Sequence, residues 1–158
     1  AFIELAVRLG DIIQTTDPQA AAVRDARYRA GEPENFTFPA PRLGPGAWQG
    51  GHEAVARPFP QPRLADGRLL DEVVGWRFAV IGEPALLADV PLAQREAWQR
   101  SGVSVLPARD PALQAWLAQQ GAFAALVRPD RYVAGLAHDA GELQALAEQL
   151  LPLELQVH

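Results

Sequence analysis

Phe123-Ala124-Ala125-Leu126-Val127-Arg128-Pro129-Asp130-Arg131-Tyr132-Val133-Ala134-Gly135-Leu136-Ala137 is the stretch whose reading decides the fold. Two short apolar runs flank Arg128-Pro129-Asp130-Arg131, where proline presets φ and aspartate bonds its own backbone, the chemistry of a tight turn. So close a turn demands antiparallel strands. The alternation of Phe123, Ala125 and Val127, then Tyr132, Ala134 and Leu136, predicts one shared face.

Working outward, Val103-Ser104-Val105-Leu106 reads as a strand stopped by Pro107, and Trp76 to Ile81 as one ending at Gly82. Between them Pro84 to about Gly102 reads as helical in two pieces, because Pro91 interrupts it. Asp110-Pro111 opens a further helix with Leu113, Trp116 and Leu117 on its apolar face and Gly121 closing it. Asp139 precedes a last helix carrying Leu143, Leu146, Ala147 and Leu150. The order is strand, helix, strand, helix, strand, strand, helix. Helical crossovers require parallel neighbours and the hairpin an antiparallel pair. The expectation is an α/β domain, a thioredoxin-like mixed sheet flanked by helices. Trp76, Trp98 and Trp116 are expected in its core.

The first third differs. Phe2, Leu5, Leu9 and Ile12-Ile13 recur at helical spacing, and Asp17-Pro18 restarts the chain as cap and first turn of a second helix ending near Gly31. From Gly31 to Pro62 prolines and glycines dominate, giving a long connecting segment that Phe36, Phe38 and Trp48 are expected to pin down. The expected organisation is terminal helices over 1–30, a Pro/Gly-rich connector over 31–56 and the thioredoxin-like domain over 57–158.

Composition narrows the chemistry. The 158 residues suit one ordinary domain, with 49% hydrophobic and 21% charged residues. Cysteine is absent, which excludes disulfides, thiolate catalysis and thiol–disulfide exchange. Lysine is absent too, which excludes Schiff-base chemistry and a phosphate-loop lysine. The 14 basic residues are all arginines, scattered, with a net charge of −5, and this argues against nucleic acid as a partner. No apolar run approaches the roughly 20 residues of a membrane helix. The start carries Glu4 where a secretion signal carries basic charge, so a cytoplasmic location is expected. With no methionine at its start, the chain is expected to be a fragment or a trimmed product.

Chemically able residues are sparse. Ser101 and Ser104 lie outside any nucleophile elbow. Gly44-Pro45-Gly46 neither follows a strand nor opens a helix, and its proline removes an amide donor. His138 reads as an exposed turn residue beside the capping Asp139, with Asp130 a conceivable neighbour across the hairpin. A metal site there lacks a third placed ligand. His52 sits beside Glu53 in the connector with no nucleophile to activate, and His158 is terminal. No catalytic, cofactor-binding or metal residue is therefore assigned.

Two stretches carry a family likeness. Phe59-Pro60-Gln61-Pro62-Arg63-Leu64 runs into Asp66-Gly67-Arg68-Leu69-Leu70-Asp71-Glu72-Val73-Val74-Gly75-Trp76-Arg77-Phe78-Ala79-Val80-Ile81-Gly82, and Leu126 to Ala134 follows later. Together they resemble the C-terminal, thioredoxin-like region of FAD-dependent aromatic-ring monooxygenases, in the 3-(3-hydroxyphenyl)propionate hydroxylase-like and phenol hydroxylase-like branch. The resemblance implies a parent enzyme that uses FAD, NAD(P)H and oxygen to hydroxylate a phenol, a missing N-terminal FAD and substrate domain as partner, and residues 1–30 as terminal helices of that missing catalytic region. It implies no cofactor in this piece, which lacks the glycine-rich dinucleotide fingerprint. It also implies a role in subunit association, so a homo-oligomer is expected. Phe2, Leu5, Leu9 and Ile12 would be interface residues on α-helical spacing, and Arg128 or Asp130 would pair with the flavin domain or a second subunit. The alternative is a stand-alone, redox-inactive thioredoxin-fold interaction module. In a redox thioredoxin the paired cysteines would fall at Gly82-Glu83-Pro84-Ala85-Leu86, and a cis proline before Phe123. Both are missing here.

Overall fold

The structure, a computed structural model, describes residues 2–32 and 41–151. Phe36, Phe38, His158 and the side chain of Phe2 lie outside the described residues. The chain divides into two compact units, Ala1–Ala40 and Pro41–His158.

The first unit holds two helices, α1 (Phe2–Ile13) and α2 (Pro18–Arg29). Asp17 caps α2 as its spacing predicts, accepting from the amides of Gln19 and Ala20 with Pro18 in the first turn. Gly31 follows at φ +76, a left-handed position that glycine adopts without strain. The Arg24 guanidinium donates to the Ile12 carbonyl at 2.7 Å, tying α2 to an orphan carbonyl at the end of α1.

The second unit contains α3 (Leu70–Val74), β1 (Ala79–Gly82), α4 (Pro84–Asp89), α5 (Leu92–Arg100), β2 (Ser104–Pro107), α6 (Pro111–Gln119), β3 (Ala124–Val127), β4 (Val133–Ala137) and α7 (Ala140–Leu150). Among the described residues the strands form one sheet in the order β2-β1-β3-β4. β1 pairs parallel with β2 and antiparallel with β3, and β3 pairs antiparallel with β4. These are the order and directions of the thioredoxin core. No helix among the described residues is long and apolar enough to cross a membrane.

Strands β1, β3 and β4 are buried throughout, so helices must cover both faces. On one side Ala79, Ile81, Ala125, Val127, Val133 and Leu136 meet Leu70 and Val74 of α3 and Leu113 and Leu117 of α6. On the other, Val80, Ala124, Leu126, Ala134 and Ala137 meet Leu86, Leu87 and Trp98, together with Leu143, Leu146 and Leu150 of α7.

Two expectations need correction. Ala134 does not share a face with Leu136. A bulge between Leu126 and Val127 in the pairing places Leu126 opposite Gly135 and Val127 opposite Val133, which turns Ala134 to the α7 side. Trp76 is outside the core, 87% exposed, because β1 begins only at Ala79. Gly75 at φ +66, with Arg77 N–H donating back to its carbonyl, makes a turn ahead of the strand. Trp98 is buried, and Trp116 packs edge-on against Phe59 with centroids 4.4 Å apart.

The segment after Pro41 is laid on this unit. Ala54, Val55, Ala56 and Phe59 are buried in the α3–α6 core, with Leu43 and Trp48 packed against it. Its backbone also closes the outer edge of β4. Gln49 N–H donates to Ala134 O at 2.8 Å, Ala56 N–H to Val133 O at 2.9 Å, and Phe59 N–H to Arg131 O at 2.7 Å. The opposite edge, β2, ends in Pro107, which offers no donor.

The bulge generates a stability prediction. A Cβ on Gly135 would fall 2.4 Å from one methyl of Leu146 and 2.8 Å from the other. Leu146 is 1% exposed and has little room to move. Gly135→Ala should therefore cost about 1–3 kcal/mol. Urea unfolding of Gly135→Ala, Leu146→Ala and the double variant should show strong non-additivity, whereas additive losses would mean that the two positions do not touch.

Candidate functional site

The turn after β1 is where a thioredoxin-type thiol would stand. Here Gly82 faces packed side chains: an added Cβ would lie 3.0 Å from Ala124 Cβ and 3.2 Å from a Leu87 methyl. Glu83 N–H is already given to Phe123 O at 2.8 Å, and Pro84 has no amide. Such a turn does not fit the pyrophosphate of a dinucleotide, which needs free amides and an open glycine floor.

The hairpin concentrates the charged contacts. The Arg128 guanidinium donates to both Asp130 carboxylate oxygens, at 3.0 and 2.7 Å. It also lies 5.6 Å from the centre of the Trp48 ring, a cation–π contact. Arg128 and Asp130, expected to reach a neighbouring domain, are thus paired with each other. Arg131 sits at φ +67 and accepts the Phe59 amide through its carbonyl. Its side chain donates to the Asp71 carboxylate and to the Gly75 carbonyl, at the start and end of α3. Asp71 in turn accepts from the Gln61 side-chain amide at 2.5 Å. Asp71 and Arg131 are 60 positions apart, and no local pattern marks them as partners.

A second cluster joins residues that sequence reasoning kept apart. His52, His138 and Glu142 line one groove of about 380 Å³, with Gln49, Val55 and Leu136. His52 Nδ1 accepts from the Ala54 amide at 3.1 Å. His138 gives its backbone N–H and its ring Nδ1 to one Glu142 oxygen, both at 2.8 Å. Asp130 is not its neighbour, because the length of β4 lies between them. Asp139 caps α7 through the Glu142 amide, as predicted. Among the described residues no three His, Asp or Glu side chains converge as a metal site would require. Ser101 ends α5 and Ser104 opens β2.

In the first unit, Ile12, Thr15, Ala20, Val23, Arg27 and Tyr28 line a groove of about 570 Å³ between α1 and α2. Leu5, Leu9 and Ile12 are half-buried, while Ile3, Val7 and Ile13 are exposed.

The fold is a thiol-free α/β domain with the strand order and directions of thioredoxin, in which Arg128 pairs with Asp130 and Arg131 with Asp71. Residues 90–152 match the model of the HcaD C-terminal domain. A probable NADH-specific resorcinol 4-hydroxylase of Rhodococcus jostii is 31% identical over 170 residues, covering 94% of this chain and 31% of that protein. A 3-(3-hydroxy-phenyl)propionate/3-hydroxycinnamic acid hydroxylase of Paraburkholderia xenovorans is 36% identical over 133 residues, covering 66% of this chain and 21% of the enzyme. Among solved structures, RebC-10x with bound 7-carboxy-K252c shares the fold, with a TM-score of 0.50 and 19% identity over 86% of this chain and 29% of its own. The chain is thus related to aromatic-ring hydroxylases, with residues 90–152 matching a C-terminal domain. It spans about a third or less of the length of the curated relatives it matches.

Two outcomes follow from the charged contacts. Arg131→Ala and Asp71→Asn should each lower stability by about 1–2 kcal/mol, since a charge-assisted hydrogen bond is lost at a half-exposed site. The double variant should lose little more than either single one in urea titrations. Second, Glu142 is held below the usual carboxylate range, first by the His138 backbone N–H and then by its ring. A depressed folded-state pKa stabilises above the unfolded value, and that contribution disappears as pH falls through the folded value. Glu142→Gln should therefore be less stable than the native chain at pH 7, with the gap closing below about pH 4. Thermal melts across that range measure it, and a gap that stays constant would exclude this linkage.

Proposed function

We propose that the chain is the C-terminal accessory domain of a flavin-dependent monooxygenase that hydroxylates a phenolic aromatic compound with FAD, NAD(P)H and oxygen. The observation that carries this is the match across 94% of the chain to a resorcinol hydroxylase of which it is only 31%. The two named relatives act on rings that already bear a hydroxyl, which supports a phenol as the substrate class. The domain itself is non-catalytic. The turn after β1 is filled with side chains, and the arginines, carboxylates and histidines that have been traced hold backbone or one another. Its work is association: it buttresses the missing N-terminal FAD and substrate domain and helps to form a homo-oligomer in the cytoplasm. Arg128 and Asp130 contribute by fixing the hairpin and Trp48, with Phe2, Leu5, Leu9 and Ile12 in the first helix as interface residues.

The full reading frame tests this. Its product should purify yellow, with a flavin absorption band, and should oxidise NADH or NADPH in the presence of a phenol. The 158-residue chain alone should be colourless and without such activity. Sedimentation should show it larger than a monomer, and smaller once residues 1–16 are removed. A reading frame with no flavin-binding part would favour the stand-alone interaction module instead.

A further inference from the structure

Helix α1 is apolar around most of its circumference. At 100° per residue, Glu4, Arg8 and Asp11 cluster in one narrow sector, and the apolar positions fill an arc of roughly 220°. A helix lying on a protein surface needs an apolar stripe of only about 100°. An arc twice as wide belongs to a helix covered from more than one side.

The structure accounts for one part of that arc. Ile12 lines the groove with α2, its carbonyl takes the Arg24 guanidinium, and Leu5 and Leu9 beside it are half-buried. The rest stands open: Ile3 is 81% exposed, Val7 56% and Ile13 75%. Ala6 and Gly10 lie between them, one turn apart, and a Cβ added to Gly10 would meet nothing within 4 Å. A helix interior does not favour glycine. A shallow floor of Ala6 and Gly10, walled by Ile3 and Val7 on one side and Ile13 on the other, admits a second helix at close range. No charged side chain interrupts this arc, so what covers it is apolar rather than an ionic ligand. Nor is the helix pair self-sufficient, since each helix has 12 residues and α2 buries none of its own.

We propose that Ile3, Ala6, Val7, Gly10 and Ile13 are the seat of a helix from the catalytic part of the parent enzyme, which packs across α1 on the side away from α2. This rests on the function proposed above. The occupant is inferred from length: the resorcinol hydroxylase matched over 94% of this chain has more than two-thirds of its own chain outside the match. The face is continuous with the α1–α2 contact, so one apolar arc serves both neighbours. The interface expected at Leu5, Leu9 and Ile12 is therefore extended to a second, open face of the same helix.

Single cysteines test it, because the 158 residues contain none. Val7→Cys and Ala6→Cys probe the seat, and Arg8→Cys, an exposed residue on the polar sector, is the control. Each is placed in the full reading-frame product, pulsed with a maleimide and read peptide by peptide in a mass spectrometer, with bound flavin confirming a folded enzyme. The seat positions should label at least about tenfold more slowly than Arg8→Cys, and equally fast after denaturation. Equal rates in the folded enzyme overturn the proposal while leaving the flavin-enzyme reading intact. So does protection in the full product that is lost when it is diluted to single copies, since a second copy would then be the occupant. A reading frame without a flavin part instead removes the functional reading itself, and its absence is seen from colour before any labelling.

Discussion

Arg131 ties three separate parts of the second unit together, and the order of the sheet edge depends on it. Its backbone adopts a left-handed conformation, which costs a non-glycine residue roughly 1–2 kcal/mol. That conformation turns the carbonyl to the Phe59 amide and sends the side chain to Asp71 and to the Gly75 carbonyl. One residue therefore joins the β3–β4 hairpin, the strap around residues 54–59 and both ends of α3. The strap in turn supplies the hydrogen bonds along β4 that would otherwise face water as an open edge. Arg128 complements it from the other end of the turn by holding Trp48.

The same constraint explains why the sheet can be so small. Strands of four or five residues bury themselves completely only if both faces and the edges are served. α3 and α6 cover one face, α4, α5 and α7 the other, and the strap covers β4. β2 is the edge left over, half-buried along its length, and its last residue is a proline that cannot extend the ladder. The bulge fits this economy as well. It lets Gly135 sit under Leu146, so that α7 approaches the sheet more closely than any side chain at that position would allow.

What was legible in the sequence is what local chemistry determines. Asp17-Pro18, Asp110-Pro111 and Asp139 cap helices where they were expected, because an aspartate oxygen reaches amides two or three residues on. Pro91 splits α4 from α5, and Pro129-Asp130 turns the hairpin, for equally local reasons. The hidden features are those that only the folded chain decides. The bulge at Ala134 and Gly135 depends on how α7 packs. Asp71 and Arg131 meet across sixty residues, and His52 joins His138 because the strap is folded back on β4. Trp76, apolar and next to a strand, was indistinguishable from a core residue until the turn at Gly75 placed it outside.

The site where a thioredoxin keeps its thiols shows what replaced them. Ala124 and Leu87 occupy the space over Gly82, the Glu83 amide is used by the Phe123 carbonyl just ahead of β3, and the Phe123 side chain stands half-exposed there. The turn is packed as part of the core. What differs between the two units is the character of their outer surfaces. In the second unit those surfaces are mostly polar, with Trp76, Leu92 and Phe123 as isolated large apolar exceptions, and singly exposed apolar residues are ordinary. In the first unit they fall on both helices, Val23 and Tyr28 on α2 and, on consecutive turns of α1, Ile3, Val7 and Ile13 around Ala6 and Gly10. Exposed apolar surface is thus concentrated in the first unit, most of it on α1, while the α/β unit closes the two faces of its own sheet.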